Sequence, residues 1–222
     1  MELNDSELEI IKDRVRNEAQ AVAKMSDYLD ETFVLTARFL FGCQGKVFVA
    51  GSGTSGTVAR RMAHLFSVSG TPAVFIQPMD ALHGSLGAIT EKDIVIVISK
   101  GGGSSEINDL AVRCKGLGAG VVALTCTAGT PLCEIADISV VTPLPSDADM
   151  GGVLAMGSTL AHGAWGDAMA CLLMHARGYS WRTVLYSHPG GAVGARTETP
   201  DEVSRIQLTP LSRSELENTC NR

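Results

Sequence analysis

The chain has 222 residues, of which 45% are hydrophobic and 19% charged, a composition that allows one domain to bury a sizeable core. Its formal net charge of -6 provides no basic surface for a nucleic-acid backbone, so DNA and RNA are not expected partners. The N-terminus lacks the features of a secretory signal, and no apolar run is long enough to cross a bilayer. We therefore expect a cytoplasmic protein that does not bind membranes.

Two amphipathic helices are predicted at the start of the chain. Apolar residues recur at intervals of three or four from Asp5 to about Met25, and a second helix is expected from Glu31 to Phe41. We expect residues 1–45, which contain both helices, to be part of the same domain as the sequence that follows.

Five short apolar runs then predict the strands of a parallel sheet. They are Val47–Ala50, Ala73–Ile76, Ile94–Ile98, Val121–Leu124 and Ile138–Val141. Most of the segments between them can be helical, and alternating strands and helices imply right-handed crossovers between parallel strands. The expected fold class is α/β, a three-layer sandwich with a five-stranded parallel sheet flanked by helices.

The last third of the chain contains one long helix and a polar tail. The helix is predicted from Gly157 to Arg177, and Gly178 suits the position after its end. Residues 197–222 are polar, lack a strong period and include two prolines. We expect this tail to be mobile or to be ordered only by a partner subunit.

Two loops rich in glycine and serine follow the first and third predicted strands. They are Gly51–Gly56 and Ser99–Ser105, and each leads into a predicted helix. Backbone N–H groups at a helix start bind anions, and the carboxyl ends of neighbouring parallel strands meet in one crevice. The pattern predicts a phosphate site that needs neither a metal nor a cofactor.

The motifs for nucleotide hydrolysis and dinucleotide binding are not matched, and the cysteines form no CxxC pair.

The stretch from Val47 to Arg196 resembles the SIS, or sugar isomerase, domain family, most closely its arabinose 5-phosphate isomerases. The matching motifs are GSGTSG (51–56), SGTPAVFIQPMDALHGSLGAIT (69–90), VISKGGGSSEI (97–107), ADISVV (136–141), GDAMA (166–170) and SHPGGAVGAR (187–196). The resemblance implies a flavodoxin-like SIS domain over residues 46–196. It also implies a single-domain form, because the pair of CBS domains that usually follows is not in this chain.

The resemblance implies an enzyme that interconverts an aldose phosphate and a ketose phosphate through an enediolate, as for arabinose 5-phosphate and ribulose 5-phosphate. Glu106 and His188 match the family's active-site acid and histidine, Asp147 stands where the family has a second glutamate, and His83 is a further catalytic candidate. The residues assigned to the phosphate pocket are Ser52, Thr54, Ser55, Ser99, Lys100 and Ser104. Structural roles stay open for each catalytic candidate, such as complementing a helix dipole for Glu106 and shaping a turn for His188.

Two departures from the family pattern leave the substrate open. Thr54 replaces a lysine of the first loop, and SKGGG (99–103) replaces SNSGE in the second. Lys100 either supplies the missing cation from the other loop or points into solvent. The alternative functions are a hexulose-phosphate isomerase and a non-catalytic sensor of phosphosugars. We expect a homotetramer, and the resemblance implies that His188 reaches a neighbouring subunit's active site.

Overall fold

The computed structural model describes residues 4–220, with side chains described up to residue 216. Its five strands match the predicted ones to within one residue at each end. They are β1 (Val47–Gly51), β2 (Ala73–Ile76), β3 (Ile94–Ile98), β4 (Gly120–Thr125) and β5 (Ile138–Val141). β1, β3 and β4 are buried along their whole length, as their uninterrupted apolar sequences predict.

The predicted helices are present, and their ends have local causes. The helices are α1 (Asp5–Lys24), α2 (Glu31–Phe41), α3 (Gly53–Val68), α4 (Pro78–Leu82), α5 (Ser105–Gly116), α6 (Pro131–Ile135), α7 (Gly157–Arg177), α8 (Trp181–Ser187), α9 (Gly191–Gly194) and α10 (Arg213–Cys220). Asn4 and Asp30 accept hydrogen bonds from the first N–H groups of α1 and α2. Gly178 ends α7 in the left-handed conformation, with φ of 60°, that glycine adopts without strain.

All strand pairs are parallel, in the order β2-β1-β3-β4-β5. The chain moves from β1 to one side to form β2, and then crosses to the other side of β1 to form β3. Open α/β sheets bind ligands at such a reversal, outside the carboxyl ends of the two strands. The topology therefore predicts a ligand site at the loops that follow β1 and β3.

Helices cover both faces of the sheet, which confirms the predicted three-layer sandwich. One face packs against α2, α3 and α7, and the other against α4, α5 and α6. In the first layer the fully buried Trp165 meets Phe33 edge to face, with ring centroids 5.8 Å apart. Aromatic pairs of this geometry add to the stability gained from burying the rings, and they hold α7 against α2.

The prediction of a mobile or partner-ordered tail is wrong for part of residues 197–216, and its last two residues, 221 and 222, lie outside the described residues. Leu211 and Leu216 are buried in the core cluster that contains α2, α3 and α7. Sparse apolar residues in a polar segment carry no periodic signal, although two leucines are enough to dock it on a preformed surface.

Over residues 4–220, no helix combines the length and the apolar character that a membrane span requires.

Candidate active site

A cavity of about 170 Å³ lies in the crevice beyond β1 and β3. The residues that line it are Ser52, Thr54, Ser55, Ile98, Ser99, Lys100, Gly101, Ser104, Ile107 and Ala155. All six residues that the sequence assigns to a phosphate pocket are among them. The parallel pairing of β1 with β3, in the register of Gly51 opposite Ile98, brings the two loops side by side.

Two serines at this cavity begin helices without capping them. Ser52 precedes α3 and Ser104 precedes α5, and neither side chain accepts a hydrogen bond from its own helix. Asp30 and Ser180, which precede α2 and α8, do make such bonds. The first N–H groups of a helix have no partner within it, so the starts of α3 and α5 offer N–H donors and free hydroxyls to an anion.

The second loop requires glycine at one position for a steric reason. Gly102 has φ of 61°, and a Cβ atom there would lie 2.2 Å from the Thr130 hydroxyl oxygen. The carbonyl oxygen of Gly102 accepts the backbone N–H of Leu132 at 3.3 Å. The loop between β3 and α5 is therefore held against the start of α6, with Ser99 and Ser104 on the cavity wall.

Lys100 supplies the only formal positive charge among the described residues that line this cavity. Its Nζ atom lies 2.6 Å from Oδ2 of Asp149 and donates to the carbonyl oxygen of Gly152 at 2.9 Å. Its side chain is 38% exposed, whereas that of Asp149 is only 4% exposed. Lys100 is thus tied to the loop between β5 and α7, and it does not simply extend into solvent.

Asp149 connects this lysine to the start of α7. Its Oδ1 atom accepts the backbone N–H groups of Met156 at 2.8 Å and Ser158 at 3.0 Å. Burial raises the pKa of the Asp149 carboxyl, but hydrogen bonds from Lys100, Ser158 and Met156 together outweigh burial and lower it to about 2. The sequence offered no signal for this role, since an acid in a polar loop is usually solvated.

Glu106 lies in the first turn of α5, next to the cavity-lining Ser104 and Ile107. Its side chain is half-buried, and within the described part of the chain its carboxylate makes no hydrogen bond or ion pair. An acid that is placed beside a polar cavity and is not engaged elsewhere is available to a ligand. Its position also complements the dipole of α5, so both roles considered from the sequence fit the geometry.

The other three catalytic candidates do not line the cavity of a single chain. Asp147 is exposed in the loop between β5 and α7, where its backbone oxygen accepts a hydrogen bond from Arg14 at 2.7 Å. His83 is exposed just after α4. His188 follows α8, and its ring Nδ1 atom lies 3.0 Å from the carbonyl oxygen of Val184. One subunit therefore gathers the phosphate-pocket residues and Glu106 but not these three.

A buried histidine lies below the site. His162 is 2% exposed, and its Nε2 atom contacts the Thr142 hydroxyl at 3.2 Å and the Cys126 sulfur at 3.4 Å. Burial lowers the pKa of His162 to about 4, although the nearby Asp149 carboxylate opposes the shift. Across residues 4–216, no group of three or more histidine, cysteine or acidic side chains is arranged to hold a metal ion.

Two comparisons with known protein sequences show what this chain is similar to. A family model described as SIS domain matches residues 40–171. The arabinose 5-phosphate isomerase KdsD of Escherichia coli (strain K12) is 35% identical over 207 residues, which cover 90% of this chain and 63% of that protein. The chain thus spans somewhat less than two thirds of the length of this curated relative.

Two solved structures share the fold over their whole length. One is a Listeria monocytogenes protein proposed to be a sugar-phosphate isomerase, with 34% identity and a TM-score of 0.80, and 85% of this chain is covered. The other is an Escherichia coli CFT073 protein in complex with arabinose 5-phosphate, with 32% identity and a TM-score of 0.80, and 84% of this chain is covered. In both cases all of the compared chain is matched.

Proposed function

Since the chain belongs to the SIS domain family, we propose that it is a phosphosugar isomerase that interconverts an aldose phosphate and a ketose phosphate. The observation that carries the proposal is the cavity beyond β1 and β3, which gathers five hydroxyl side chains and one lysine at the starts of two helices. The carboxylate of Glu106 stands beside it.

In this proposal the substrate phosphate is held by the hydroxyls of Ser52, Ser55, Ser99 and Ser104 and by the N–H groups at the starts of α3 and α5. The uncapped state of both helices supports this assignment, because neither Ser52 nor Ser104 takes up the first N–H groups of its helix. The positive ends of two helix dipoles point at the same site and favour a doubly charged anion. Thr54 and Lys100 complete the wall.

Glu106 is the proposed base. Its carboxylate takes the proton from C2 of the aldose, and the C–H electron pair forms the C1–C2 double bond of an enediolate whose negative charge rests on oxygen. A proton also passes from the C2 hydroxyl to the C1 oxygen, and return of the abstracted proton to C1 then gives the ketose, with its carbonyl at C2. Such proton transfers need a base within reach of the carbon and a group that stabilises the developing oxyanion. Lys100 is the cation available for that charge on the cavity wall.

We further propose that the complete site is shared between subunits of a homotetramer. The positions of His83, Asp147 and His188 outside the cavity of one chain support sharing, because a neighbouring subunit can supply what a single chain lacks. Apolar side chains on α1 also stay exposed in the single chain, among them Ile10 at 71% and Val15 at 63%. Contacts between subunits would cover such a surface.

The cytoplasmic location stays a prediction from the sequence.

The proposed substrate pair is arabinose 5-phosphate and ribulose 5-phosphate, supported by the KdsD relative and by the related structure that holds arabinose 5-phosphate. The test is to mix the purified protein with arabinose, ribulose, glucose and hexulose phosphates and to follow interconversion by NMR. Turnover of the five-carbon pair is the expected result. Turnover of the hexulose phosphate alone would indicate the alternative isomerase, and binding without any turnover would indicate a phosphosugar sensor.

A further inference from the structure

Lys100 lies between two cavities at the carboxyl ends of the strands. One is the cavity beyond β1 and β3, and the other, of about 240 Å³, lies under the loop between β5 and α7. Asp149, Gly152 and Ser158 line the second cavity, and Lys100 is the one described residue common to both linings. The orientation of its ammonium group therefore decides which cavity receives the positive charge.

Among the described residues, two of the three N–H donors of this ammonium have partners. One serves the Asp149 carboxylate and another serves the carbonyl oxygen of Gly152. A lysine ammonium has three donors, so one is left for a ligand. The lysine side chain has many rotamers when it is free, and two fixed partners restrict it to a small set.

Asp149 is itself fixed. Its other carboxylate oxygen is hydrogen-bonded to the N–H groups of Met156 and Ser158, and the side chain is almost fully buried. The acid thus joins the first turn of α7 to the lysine on the loop after β3. Because α7 is packed against the sheet through Trp165 and Leu173, this anchor is rigid relative to β1 and β3.

We propose that Asp149 is a positioning residue, which holds the Lys100 ammonium so that its remaining N–H donor faces the charged oxygens of a sugar phosphate in the cavity beyond β1 and β3. This inference rests on the proposed function. It assigns to Asp149 no contact with the substrate, and it explains how a cation on the second loop can serve a site in which the first loop carries Thr54.

The test is a double-mutant cycle of Asp149→Asn and Lys100→Ala. Asparagine keeps a side-chain oxygen for the N–H groups of α7 but loses the charge that holds the lysine. In the wild-type background, Asp149→Asn should lower kcat/KM about tenfold to a hundredfold, the effect of a misplaced group at an active site. In the Lys100→Ala background the same change should cost less than about twofold, because there is no lysine left to position.

Asp167→Asn is the matched control, since it removes a carboxylate on α7 that forms an exposed pair with Arg61. It should leave kcat/KM unchanged. If Asp149→Asn lowered kcat/KM equally with and without Lys100, Asp149 would act only as a cap of α7, and the inference would be overturned. An unchanged kcat/KM in Asp149→Asn would overturn it as well. Where Asp149→Asn does not fold, Asp149→Ser takes its place in the cycle, because serine also lacks the charge and keeps an oxygen for the N–H groups of α7, and it is judged by the same two comparisons.

Failure of the proposed function is recognised separately. A wild-type protein that converts no sugar phosphate contradicts the isomerase proposal, and the cycle is then measured by calorimetric titration with inorganic phosphate. Weaker phosphate binding from Asp149→Asn only when Lys100 is present supports the positioning role. Equal weakening in both backgrounds, unchanged binding, or no phosphate binding by the wild type overturns it.

Discussion

The backbone N–H of Leu211 donates a hydrogen bond to the carbonyl oxygen of Arg38 at 3.0 Å, which joins the C-terminal segment to α2. The Arg38 side chain returns a bond to the carbonyl oxygen of Thr209, also at 3.0 Å. The Leu211 side chain is 5% exposed in the core cluster. This segment is therefore a structural part of the domain, and its removal should affect stability before activity.

Leu211→Ala should lower the free energy of unfolding by about 2 to 5 kcal/mol, because it leaves a cavity where a buried leucine packed. Chemical denaturation followed by circular dichroism measures the change. Ile206→Ala is the control in the same segment, since Ile206 is 41% exposed, and its effect should stay within about 0.5 kcal/mol. Equal effects from both variants would mean that the segment does not contribute to the core in solution.

Glu106→Gln should lower turnover of the true substrate by roughly two to four orders of magnitude, because the amide cannot accept the substrate proton. Folding should be retained, since the carboxylate has no partner within the described part of the chain. Glu91→Gln is a suitable control because Glu91 is exposed at the amino end of β3, opposite the cavity. Near-normal turnover in Glu106→Gln would mean that Glu106 is not the base and only complements the dipole of α5.

His188→Ala should lower turnover by a similar factor, and mixing it with Glu106→Gln should restore part of the activity. If sites are shared, a mixed oligomer contains some sites with a native Glu106 from one subunit and a native His188 from another. The two inactive variants are dissociated, mixed and reassociated before assay, and the oligomeric state is followed by light scattering. A stable monomer, or no recovery in a mixed oligomer, would contradict the shared site.

Lys100→Ala should lower kcat/KM roughly tenfold to a hundredfold, the effect of losing a charge-assisted hydrogen bond of about 1.5 to 3 kcal/mol. A change confined to KM would assign the lysine to the phosphate, and a change in kcat would assign it to the enediolate. Thr54→Lys in the Lys100→Ala background should recover part of the loss, because both positions line one cavity. Unchanged kinetics in Lys100→Ala would rule out a role for this cation.

The stability of the protein should fall as the pH drops from 6.5 towards 4, because of His162. Burial lowers its pKa in the folded state from 6.5 to about 4, so the unfolded chain binds a proton at a higher pH than the folded one. The contribution of neutral, buried His162 to the free energy of unfolding is fully present above pH 6.5 and amounts to about 3 kcal/mol. Denaturation at a series of pH values tests it. In His162→Asn the free energy of unfolding should change less steeply with pH. His64→Asn, at an exposed position on α3, is the control and should show the steep wild-type dependence, because His162 is still present.

The sequence by itself determined the five strands, the helices α1, α2, α3, α5 and α7, and the place of the cavity, whereas α8, α9 and α10 were not predicted. Continuous apolar runs such as Ile94–Ile98 predict buried strands, and Gly178 predicts the end of α7, because these signals act between neighbours along the chain. Parallel strands then bring the loops after β1 and β3 together without any further information. This is why all six predicted phosphate-pocket residues line one cavity.

Only the tertiary structure decided how Lys100 is held, where the tail docks and which candidates stand apart. The partner of Lys100 is Asp149, on a loop between β5 and α7, and no periodicity or spacing connects two side chains that are so distant along the chain. Leu211 and Leu216 likewise depend on a surface built from α2, α3 and α7. The positions of His83, Asp147 and His188 outside the cavity follow from where α4, the loop between β5 and α7, and α8 pack. The lysine pair and the docked tail depend on the assembled fold, because their energy comes from charge pairing and burial between segments that are distant along the chain.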